Sequence, residues 1–346
     1  MFNFFRPFIF KFSPEVAHSL AIKALKLNNL QINKIIKSEA LNINFCGKKL
    51  LNPVGVAAGF DKNAEVYNPL FNLGFGFVEV GTITPKPQYG NPKPRVFRLE
   101  EDEALINRLG FNNTGSEEIS SRISKEIKKG ILGINIGPNK DTENRIEDYI
   151  SCFKKFHTLA DYITVNISSP NTENLRDFHN QDQLNSLLKE LKNEKKKLDS
   201  KIPIAVKVSP DLNDEQIEFV SNILLDQEIE IIIVSNTSDK NRDKLNNINK
   251  LEKGGLSGKP LNHVSNNIIS KFYKLLGKKI KIIGVGGVDS GETAFEKIIR
   301  GASLVQLYTG MVYKGPGIVS SISSELIDIL KNKGFKNITE AVGTKH

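Results

Sequence analysis

The chain has 346 residues, of which 39% are hydrophobic and 25% are charged, with 26 glycines and 14 prolines. This composition is typical of soluble globular proteins and excludes collagen-like, mucin-like and wholly disordered chains. The 48 basic residues exceed the 39 acidic ones by nine, a balance that suits nucleic acid, an anionic membrane or an acidic substrate.

The first twelve residues, MFNFFRPFIFKF, are rich in phenylalanine, but Arg6, Pro7 and Lys11 interrupt them. No apolar run approaches the roughly 20 residues of a membrane-spanning helix. The segment also lacks the basic start and the cleavage site of a secretory signal, so we expect none. Proline removes a backbone donor, and Pro7 is therefore expected to break a helix here.

A helix is predicted to start at Ser13, with a capping hydroxyl, then Pro14 at the first position and Glu15 at the positive end of the dipole. Its apolar side consists of Val16, Ala17, Leu20, Ala24, Leu25 and Leu27. A second short apolar pattern follows over residues 32–36. We predict that residues 1–38 form a helical arm. It either lies in a membrane interface without spanning it or packs on the main domain.

After the arm, eight short runs rich in β-branched residues alternate with helical patterns. The runs are Val54–Ala58, Phe77–Ile83, Leu132–Ile136, Tyr162–Ile167, Ile204–Val208, Ile229–Val234, Ile280–Val285 and Leu304–Tyr308. Eight such units predict an α/β fold, a closed (β/α)8 TIM barrel over residues 39–346 with an N-terminal helical extension. An open doubly wound sheet is the alternative.

Two insertions are predicted around the barrel. The runs Leu41–Phe45 and Lys49–Leu51 flank Gly47 and predict a hairpin that plugs the entry end. The stretch Thr84–Phe111 is too long for an ordinary loop and indicates a functional excursion.

Two further features bear on partners. The lysine-rich run Lys189–Lys201 is interleaved with acidic residues and has no aromatic residue, which is typical of a solvated helix face. We therefore expect no nucleic-acid partner. Cys46 and Cys152 are the two cysteines, without a CxxC motif, so a disulfide framework and a zinc site are not expected, and the reducing cytosolic side fits.

In a (β/α)8 barrel the active site is built from the residues that follow the carboxyl ends of the strands. Lys62 follows one apolar strand and Lys207 lies at the carboxyl end of another, and two cations at one barrel mouth indicate stabilisation of an anion or an electrophile. Amides and hydroxyls lie at or just after the carboxyl ends of the other strands: Thr82, Asn135, Asn166, Ser168, Ser169, Asn171, Ser235, Asn236 and Thr237.

Gly286–Gly287 and Thr309–Gly310 follow the last two strands and match the common phosphate site of such barrels, where backbone N–H groups and a helix N-terminus hold the anion. No histidine and no carboxylate pair follows any strand, which disfavours metal hydrolysis and glycosidase chemistry and predicts no metal. The pattern favours a phosphate-bearing cofactor and redox chemistry on a polar heterocycle.

Long motifs carry a family resemblance. They are AAGFDKN (57–63), GTITPKPQ (81–88), GNPKPRVFRL (90–99), INRLGFNN (106–113), GINIGPNK (133–140), VNISSPNT (165–172), GGLSGKPL (254–261), GVGGVDSGE (284–292) and GASLVQLYTG (301–310). With them the chain resembles the dihydroorotate dehydrogenases, from about Pro14 to the C-terminus. The resemblance implies a barrel that binds FMN and oxidises dihydroorotate to orotate in pyrimidine synthesis.

The resemblance is to the quinone-linked, membrane-associated class. Ser169 occupies the position of the base, where cytosolic relatives carry cysteine or differ in the loop, and the arm of residues 1–38 is what a membrane-associated enzyme needs. This class implies a membrane quinone as electron acceptor and a peripheral location on the cytoplasmic side of the cell inner membrane. We expect a monomer.

The resemblance also implies roles for individual residues. Ser169 is the expected catalytic base. Expected substrate-binding residues are Lys62, Asn107, Arg108, Leu109, Gly110, Phe111, Asn166, Asn171, Asn236 and Thr237. Expected FMN-binding residues are Ala58, Gly59, Phe60, Asp61, Lys62, Thr82, Asn135, Asn166, Lys207, Ser235, Gly258, Gly287, Tyr308 and Thr309. His18 and Arg98 are the expected quinone contacts.

Two alternatives remain open from the residues. One is a non-catalytic basic barrel that binds nucleic acid or phosphosugars, and it predicts steeply salt-dependent binding. The other is a fumarate- or NAD-linked member of the same family.

Overall fold

The computed structural model describes residues 2–27, 35–172, 175–240 and 242–346. Thirteen strands lie in these ranges. In chain order they are β1 Ile43–Phe45, β2 Lys48–Leu50, β3 Val54–Val56, β4 Phe77–Ile83, β5 Val96–Leu99, β6 Ala104–Asn107, β7 Ile131–Ile136, β8 Tyr162–Asn166, β9 Ile204–Val208, β10 Ile231–Val234, β11 Gly255–Gly258, β12 Lys281–Val285 and β13 Ala302–Leu307.

Eight of these strands close into a parallel barrel in the order β3, β4, β7, β8, β9, β10, β12, β13. Every residue of β4, β7, β8, β9 and β10 is buried, as expected for strands that are covered on both faces. The predicted (β/α)8 barrel is confirmed, and all eight predicted runs coincide with its strands. The open doubly wound sheet is wrong.

The same ranges contain eleven α-helices. They are α1 Phe2–Phe10, α2 Pro14–Lys26, α3 Tyr67–Asn72, α4 Ser116–Ser124, α5 Arg145–Phe156, α6 Gln181–Lys197, α7 Asp214–Asp226, α8 Leu261–Leu276, α9 Gly291–Ile299, α10 Thr309–Lys314 and α11 Ile318–Asn332. Two helices, α7 and α9, begin with a capping box, in which Asn213 and Ser290 respectively exchange hydrogen bonds with the third residue of the helix. The helices cover the outside of the barrel, and the main apolar core lies between the two layers.

The predicted hairpin is confirmed as β1 and β2, which pair antiparallel. Phe45 of β1 is buried at the entry end of the barrel. Its ring lies 5.8 Å from that of Phe77 and 5.5 Å from that of Tyr162, centroid to centroid. The hairpin thus closes this end with apolar side chains, and the opposite end is left for the site.

The predicted excursion at Thr84–Phe111 contains β5 and β6, which the sequence patterns did not predict. They pair antiparallel with each other, and β6 pairs with β11 from the loop after β10. This three-stranded sheet lies over the carboxyl ends of the barrel strands and forms one wall of the cavity described below.

The N-terminal residues form α1 and α2. A helix break at Pro7 was wrong, because α1 runs through it. One lost backbone bond is tolerated where side chains hold the helix: the Phe10 ring packs edge-on against Tyr313 at 5.5 Å, and Arg6 Nη1 donates to Tyr313 O at 3.3 Å. Ser13 does precede α2, with Pro14 at its first position, but the Ser13 hydroxyl makes no capping hydrogen bond.

Residues 32–34 of the second short pattern lie outside the described residues, and residues 35 and 36 are not helical. In the described part of the chain no helix combines the length and apolar character needed to cross a membrane.

Candidate active site

A cavity that is partly open to solvent lies at the carboxyl ends of the barrel strands. The barrel strands form its floor, and residues of β5, β6 and β11 form a wall. Most of the predicted site residues line it: Ala58, Gly59, Lys62, Thr82, Asn107, Leu109, Gly110, Phe111, Asn166, Ser169, Asn171, Lys207, Ser235, Asn236, Thr237, Gly258, Gly287, Tyr308 and Thr309.

Four of the predicted substrate- and FMN-binding residues are not part of this lining: Phe60, Asp61, Arg108 and Asn135. The Asp61 carboxylate accepts the backbone N–H groups of Glu65 (2.7 Å) and Val66 (2.8 Å), and burial raises its pKa to about 6. Asp61 therefore shapes the loop after β3 from behind the cavity.

Arg108 turns outward. Its Nη1 donates to Glu252 Oε2 at 2.6 Å, and its guanidinium lies 4.5 Å from the centre of the Phe97 ring. The Arg108 side chain is therefore not placed to contact a ligand in the cavity. The side chain instead ties the excursion to the loop after β10.

Lys207 projects from β9 and is almost fully buried. Among the described residues it has no hydrogen-bond partner, and burial lowers the pKa of its ammonium group although the charge of Glu79 opposes this effect. A buried ammonium group without a partner is costly unless a ligand supplies acceptors. Lys207 is therefore the strongest indication of an electron-rich ligand on the cavity floor.

Lys62 lies in the loop after β3, where its Nζ donates to Gly59 O at 2.7 Å. Burial lowers its pKa to about 8, while the nearby Glu15 carboxylate of α2 acts in the opposite direction. The two lysines that the sequence placed at the barrel mouth thus line one cavity.

Amide side chains are linked across the cavity. Asn171 Nδ2 donates to Asn107 Oδ1 at 3.1 Å, and Asn236 Nδ2 donates to Asn166 Oδ1 at 3.2 Å. Asn166 Nδ2 also donates to Thr82 Oγ1 at 2.9 Å. Linked amides present donors and acceptors in fixed positions, which suits the edge of a heterocycle that carries both N–H and C=O groups.

Ser169 lies in the loop after β8 and is nearly buried. Its Oγ accepts the backbone N–H of Asn171 at 3.2 Å. No carboxylate or imidazole of the described residues is hydrogen-bonded to this hydroxyl. Three residues further on, Thr172 Oγ1 is buried with no hydrogen-bond partner in the described parts of the chain.

Glycines line the side of the cavity formed by the last strands. Gly286 and Gly287 follow β12 with φ values of 114° and 70°, in the left-handed region that favours glycine. The N–H groups of Gly286 and Val288 have no hydrogen-bond partner among the described residues. Free backbone donors in such a turn form a binding place for an anion.

A polar cluster that the sequence patterns did not predict lies inside the barrel. The Glu79 carboxylate accepts hydrogen bonds from Asn135 (2.8 Å), Tyr162 (3.0 Å), Thr164 (3.2 Å) and Gln306 (3.0 Å). Gln306 also lines the cavity, and its Oε1 is buried without a partner in the described residues. The sequence did contain an indication of this cluster, because Glu79 and Gln306 are isolated polar residues within apolar strands.

A second cavity, which is mainly apolar, lies between the N-terminal helices and the barrel. Phe60 lines this cavity and not the polar one, while Tyr308, Val96 and Leu105 line both. The two cavities therefore share a wall one side chain thick.

Both predicted quinone contacts lie at the apolar cavity. The His18 ring packs edge-on against Phe60, 5.2 Å between centroids, and burial, followed by the charge of Lys62, lowers its pKa to about 3. His18 is thus neutral near pH 7. Arg98 Nη1 donates to Phe10 O at 2.8 Å, and its guanidinium lies 4.5 Å from the Phe10 ring centre.

Comparisons with known proteins agree with this geometry. A family model described as dihydroorotate dehydrogenase matches residues 40–330. A dihydroorotate dehydrogenase (quinone) of Bartonella tribocorum is 47% identical over 340 residues, which cover 97% of this chain and 94% of the relative. The corresponding protein of Agrobacterium fabrum is 45% identical over 336 residues, or 96% and 93% of the two chains.

Solved structures are similar over the same length. The ligand-free DHODH of Eimeria tenella superposes with a TM-score of 0.93 at 38% identity, covering 96% of this chain and 99% of the other. Its complex with ferulenol has the same TM-score and covers 96% of each chain. With a family model spanning most of the barrel and relatives matched nearly end to end, the chain belongs to the dihydroorotate dehydrogenase family.

Proposed function

We propose that this protein oxidises dihydroorotate to orotate, with FMN as cofactor and a membrane quinone as electron acceptor, in the de novo synthesis of pyrimidines. One observation carries the proposal. A polar cavity with a buried, unpartnered lysine and linked amides shares a wall with an apolar cavity beneath the N-terminal helices. This arrangement suits a polar substrate on one side of a redox cofactor and a lipophilic acceptor on the other.

The donor set of the cavity fits FMN. The free N–H groups of the Gly286–Gly287 turn, with the hydroxyls of Ser257 and Thr309 (2.9 Å apart), would hold the phosphate. Lys207 and Gln306 would meet the polar edge of the ring from the floor. Bound there, FMN would accept a hydride from the substrate and pass the electrons on to the quinone.

Dihydroorotate must lose a proton from C5 and a hydride from C6. Ser169 would take the proton, and Thr172 with a chain of waters would help to carry it away. Asn107, Asn171 and Asn236 would orient the pyrimidine through paired donors and acceptors. Lys62 would bind the substrate carboxylate.

The membrane part of the proposal rests on the N-terminal helices. Phe4, Phe5, Phe8 and Phe12 are exposed, Lys11 Nζ lies 5.5 Å from the centre of the Phe8 ring, and Lys23 and Lys26 are exposed on α2. Exposed aromatic residues with lysines at their border are typical of helices that lie in a membrane interface. We therefore place the protein peripherally on the cytoplasmic side of the inner membrane, with the quinone tail entering between α1 and α2.

Stopped-flow spectroscopy tests the whole proposal. Dihydroorotate should bleach the absorbance of the bound flavin, and a quinone should restore it. Purified protein that holds no flavin and takes up no added FMN would overturn the proposal. Faster reoxidation by fumarate or NAD than by quinone would favour the other classes of the family.

Substrate affinity should depend on the charge of Lys62. Because burial lowers its pKa to about 8, the ammonium group is present below pH 8 and is lost as the pH rises through 8. We expect the affinity for orotate to fall by about tenfold above this pH, the worth of one charge-assisted hydrogen bond. Titration of the flavin spectrum with orotate below and above pH 8 measures it.

Two variants check the assignment of this pH dependence. Lys62→Met should bind orotate weakly at every pH, and Lys62→Arg should retain its affinity above pH 8, because a guanidinium stays charged there. A wild-type affinity that does not change through pH 8 would contradict the prediction.

Filling the apolar cavity should slow the reoxidation of the flavin by quinone without slowing the reduction of the flavin by dihydroorotate. Ala24 of α2 lines this cavity, and Ala24→Trp is expected to slow flavin reoxidation by long-tailed quinones at least tenfold, while reduction by dihydroorotate changes little. Ser19→Trp, on the exposed side of α2, is the matched control and should leave both rates unchanged. Normal reoxidation in Ala24→Trp would show that the quinone enters elsewhere.

A further inference from the structure

Lys297 of α9 is a fully buried lysine outside the cavity, and the proposed reaction does not use it. It packs against the outer side of β12: a Cβ at Gly284 would stand 3.1 Å from Lys297 Cδ. Burying an amine is costly unless its donors are satisfied. The structure satisfies them on α8, where Lys297 Nζ donates to Ser265 Oγ at 3.1 Å and to Asn266 Oδ1 at 2.9 Å.

From these two partners, hydrogen bonds lead to the glycine turn after β12. Ser265 Oγ donates directly to Val285 O at 2.5 Å. Asn266 Nδ2 donates to Asn262 Oδ1 at 3.0 Å, and Asn262 Nδ2 donates to Gly287 O at 3.2 Å. Lys297 is therefore the common origin of two relays that end on the carbonyls at either end of one turn.

The carbonyls determine where the backbone donors of the turn point. In a planar trans peptide the C=O and the following N–H are antiparallel. Anchoring Val285 O and Gly287 O on α8 therefore directs the N–H groups of Gly286 and Val288 away from α8. These two N–H groups have no partner in the described residues, and both residues line the cavity.

The turn needs such support because it has little stiffness of its own. Gly286 and Gly287 both adopt positive φ, and glycine has no side chain with which to lock that conformation. There is also no room to stiffen it by substitution, since a Cβ on Gly287 would lie 2.6 Å from Asn262 Cβ. The neighbouring helix must hold the turn.

We propose that Lys297 is a positioning residue for the phosphate group of the cofactor, and that it sets the preference of this site for a phosphorylated over an unphosphorylated flavin. It holds the glycine turn through Ser265 and Asn266 and places a positive charge behind it. The inference rests on the proposed FMN site. Burial and the nearby Arg300 lower the pKa of Lys297 to about 7, although the charge of Glu296 acts in the opposite direction. A phosphate bound in the turn would favour the charged form of Lys297.

Flavin affinity tests the proposal without reference to activity. The full-length protein is freed of flavin, and the affinities for FMN and for riboflavin are measured by fluorescence quenching. Lys297→Met keeps the buried stem but removes the charge and both donors. We expect its affinity for FMN to fall by about tenfold or more and that for riboflavin to change by less than about twofold.

Two controls separate positioning from general destabilisation. Ile298→Ala removes a buried side chain next to Lys297 on the same helix but outside the relays, and should leave the ratio of the two affinities unchanged. Ser265→Ala with Asn266→Ala cuts both relays while keeping the lysine, and should lower the ratio as Lys297→Met does. This double variant also provides the test if Lys297→Met does not fold.

The outcomes are distinct. Wild-type protein that binds neither flavin would overturn the proposed function itself. Wild-type protein that binds FMN, with an unchanged ratio of affinities in Lys297→Met or in the double variant, would overturn only the role of Lys297. An equal loss of both flavins would also overturn it, because the effect would then act on the ring and not on the phosphate.

Discussion

Ser169→Ala is expected to slow the reduction of bound flavin by dihydroorotate by roughly 10²- to 10⁴-fold, the usual contribution of a general base. The hydroxyl lies at the cavity, nearly buried, and is held by the Asn171 backbone N–H at 3.2 Å. Its removal leaves no replacement base in hydrogen-bond contact among the described residues. Bound FMN should be unaffected, and stopped-flow absorbance measures the rate.

Ser169→Cys is the informative companion, because a thiolate forms more readily than an alkoxide and should restore part of the rate lost in Ser169→Ala. Thr172→Ala should cause a smaller loss if its buried, unpartnered hydroxyl helps to remove the proton. An unchanged rate of flavin reduction in Ser169→Ala would mean that another group is the base.

Lys207→Met is expected to slow flavin reduction by about 10²- to 10³-fold, comparable to the loss of one preorganised donor at a developing charge. The ammonium group is buried on the cavity floor and has no hydrogen-bond partner in the described parts of the chain. It would therefore be free to stabilise the negative charge that hydride transfer places on the ring. Methionine preserves the packing of the aliphatic part of the lysine side chain, so the variant tests the effect of the charge alone.

The midpoint potential of the flavin gives an independent measure. Loss of a nearby positive charge should lower the potential in Lys207→Met, because the charge that accompanies reduction is then less stabilised. Lys128→Met changes a lysine on the far side of the barrel that is paired with Asp161, and it should leave rate and potential unchanged. A wild-type rate and potential in Lys207→Met would exclude the assigned role.

The barrel was predictable because its strands are buried on both faces. Such strands must be apolar almost throughout, and runs such as Ile204–Val208 stand out from the lysine-rich helices between them. The positions after the strands were predictable for the same reason, since the barrel topology brings all carboxyl ends to one rim. That rule alone placed Lys62, Lys207, Ser169 and Gly287 at one cavity.

Predictions failed where the outcome depended on contacts between distant segments. The helix through Pro7 persists because of packing on Tyr313, more than 300 residues away in the chain. The sheet of β5, β6 and β11 joins segments some 150 residues apart, and each strand is only four residues long, too short for a clear periodicity.

The direction of side chains was the other feature that the sequence did not predict. Motif position placed Asp61, Arg108 and Asn135 near the ligands, but none of the three lines the cavity: Asp61 holds a backbone turn, Arg108 donates to Glu252, and Asn135 donates to Glu79 and accepts from Thr82. Position along a strand determines which end of the barrel a residue occupies. The available hydrogen-bond partners determine where its polar atoms point.

The sequence alone therefore determines the fold, the end of the barrel at which the active site lies and the family, because local hydrophobic patterns and long motifs encode these directly. Tertiary structure decides the rest: the shared wall at Tyr308 between the polar and apolar cavities, and the two relays from Lys297 to the glycine turn. Both depend on which helices and strands pack side by side. Burial and hydrogen-bond satisfaction act on the whole folded chain, so no single segment contains that information.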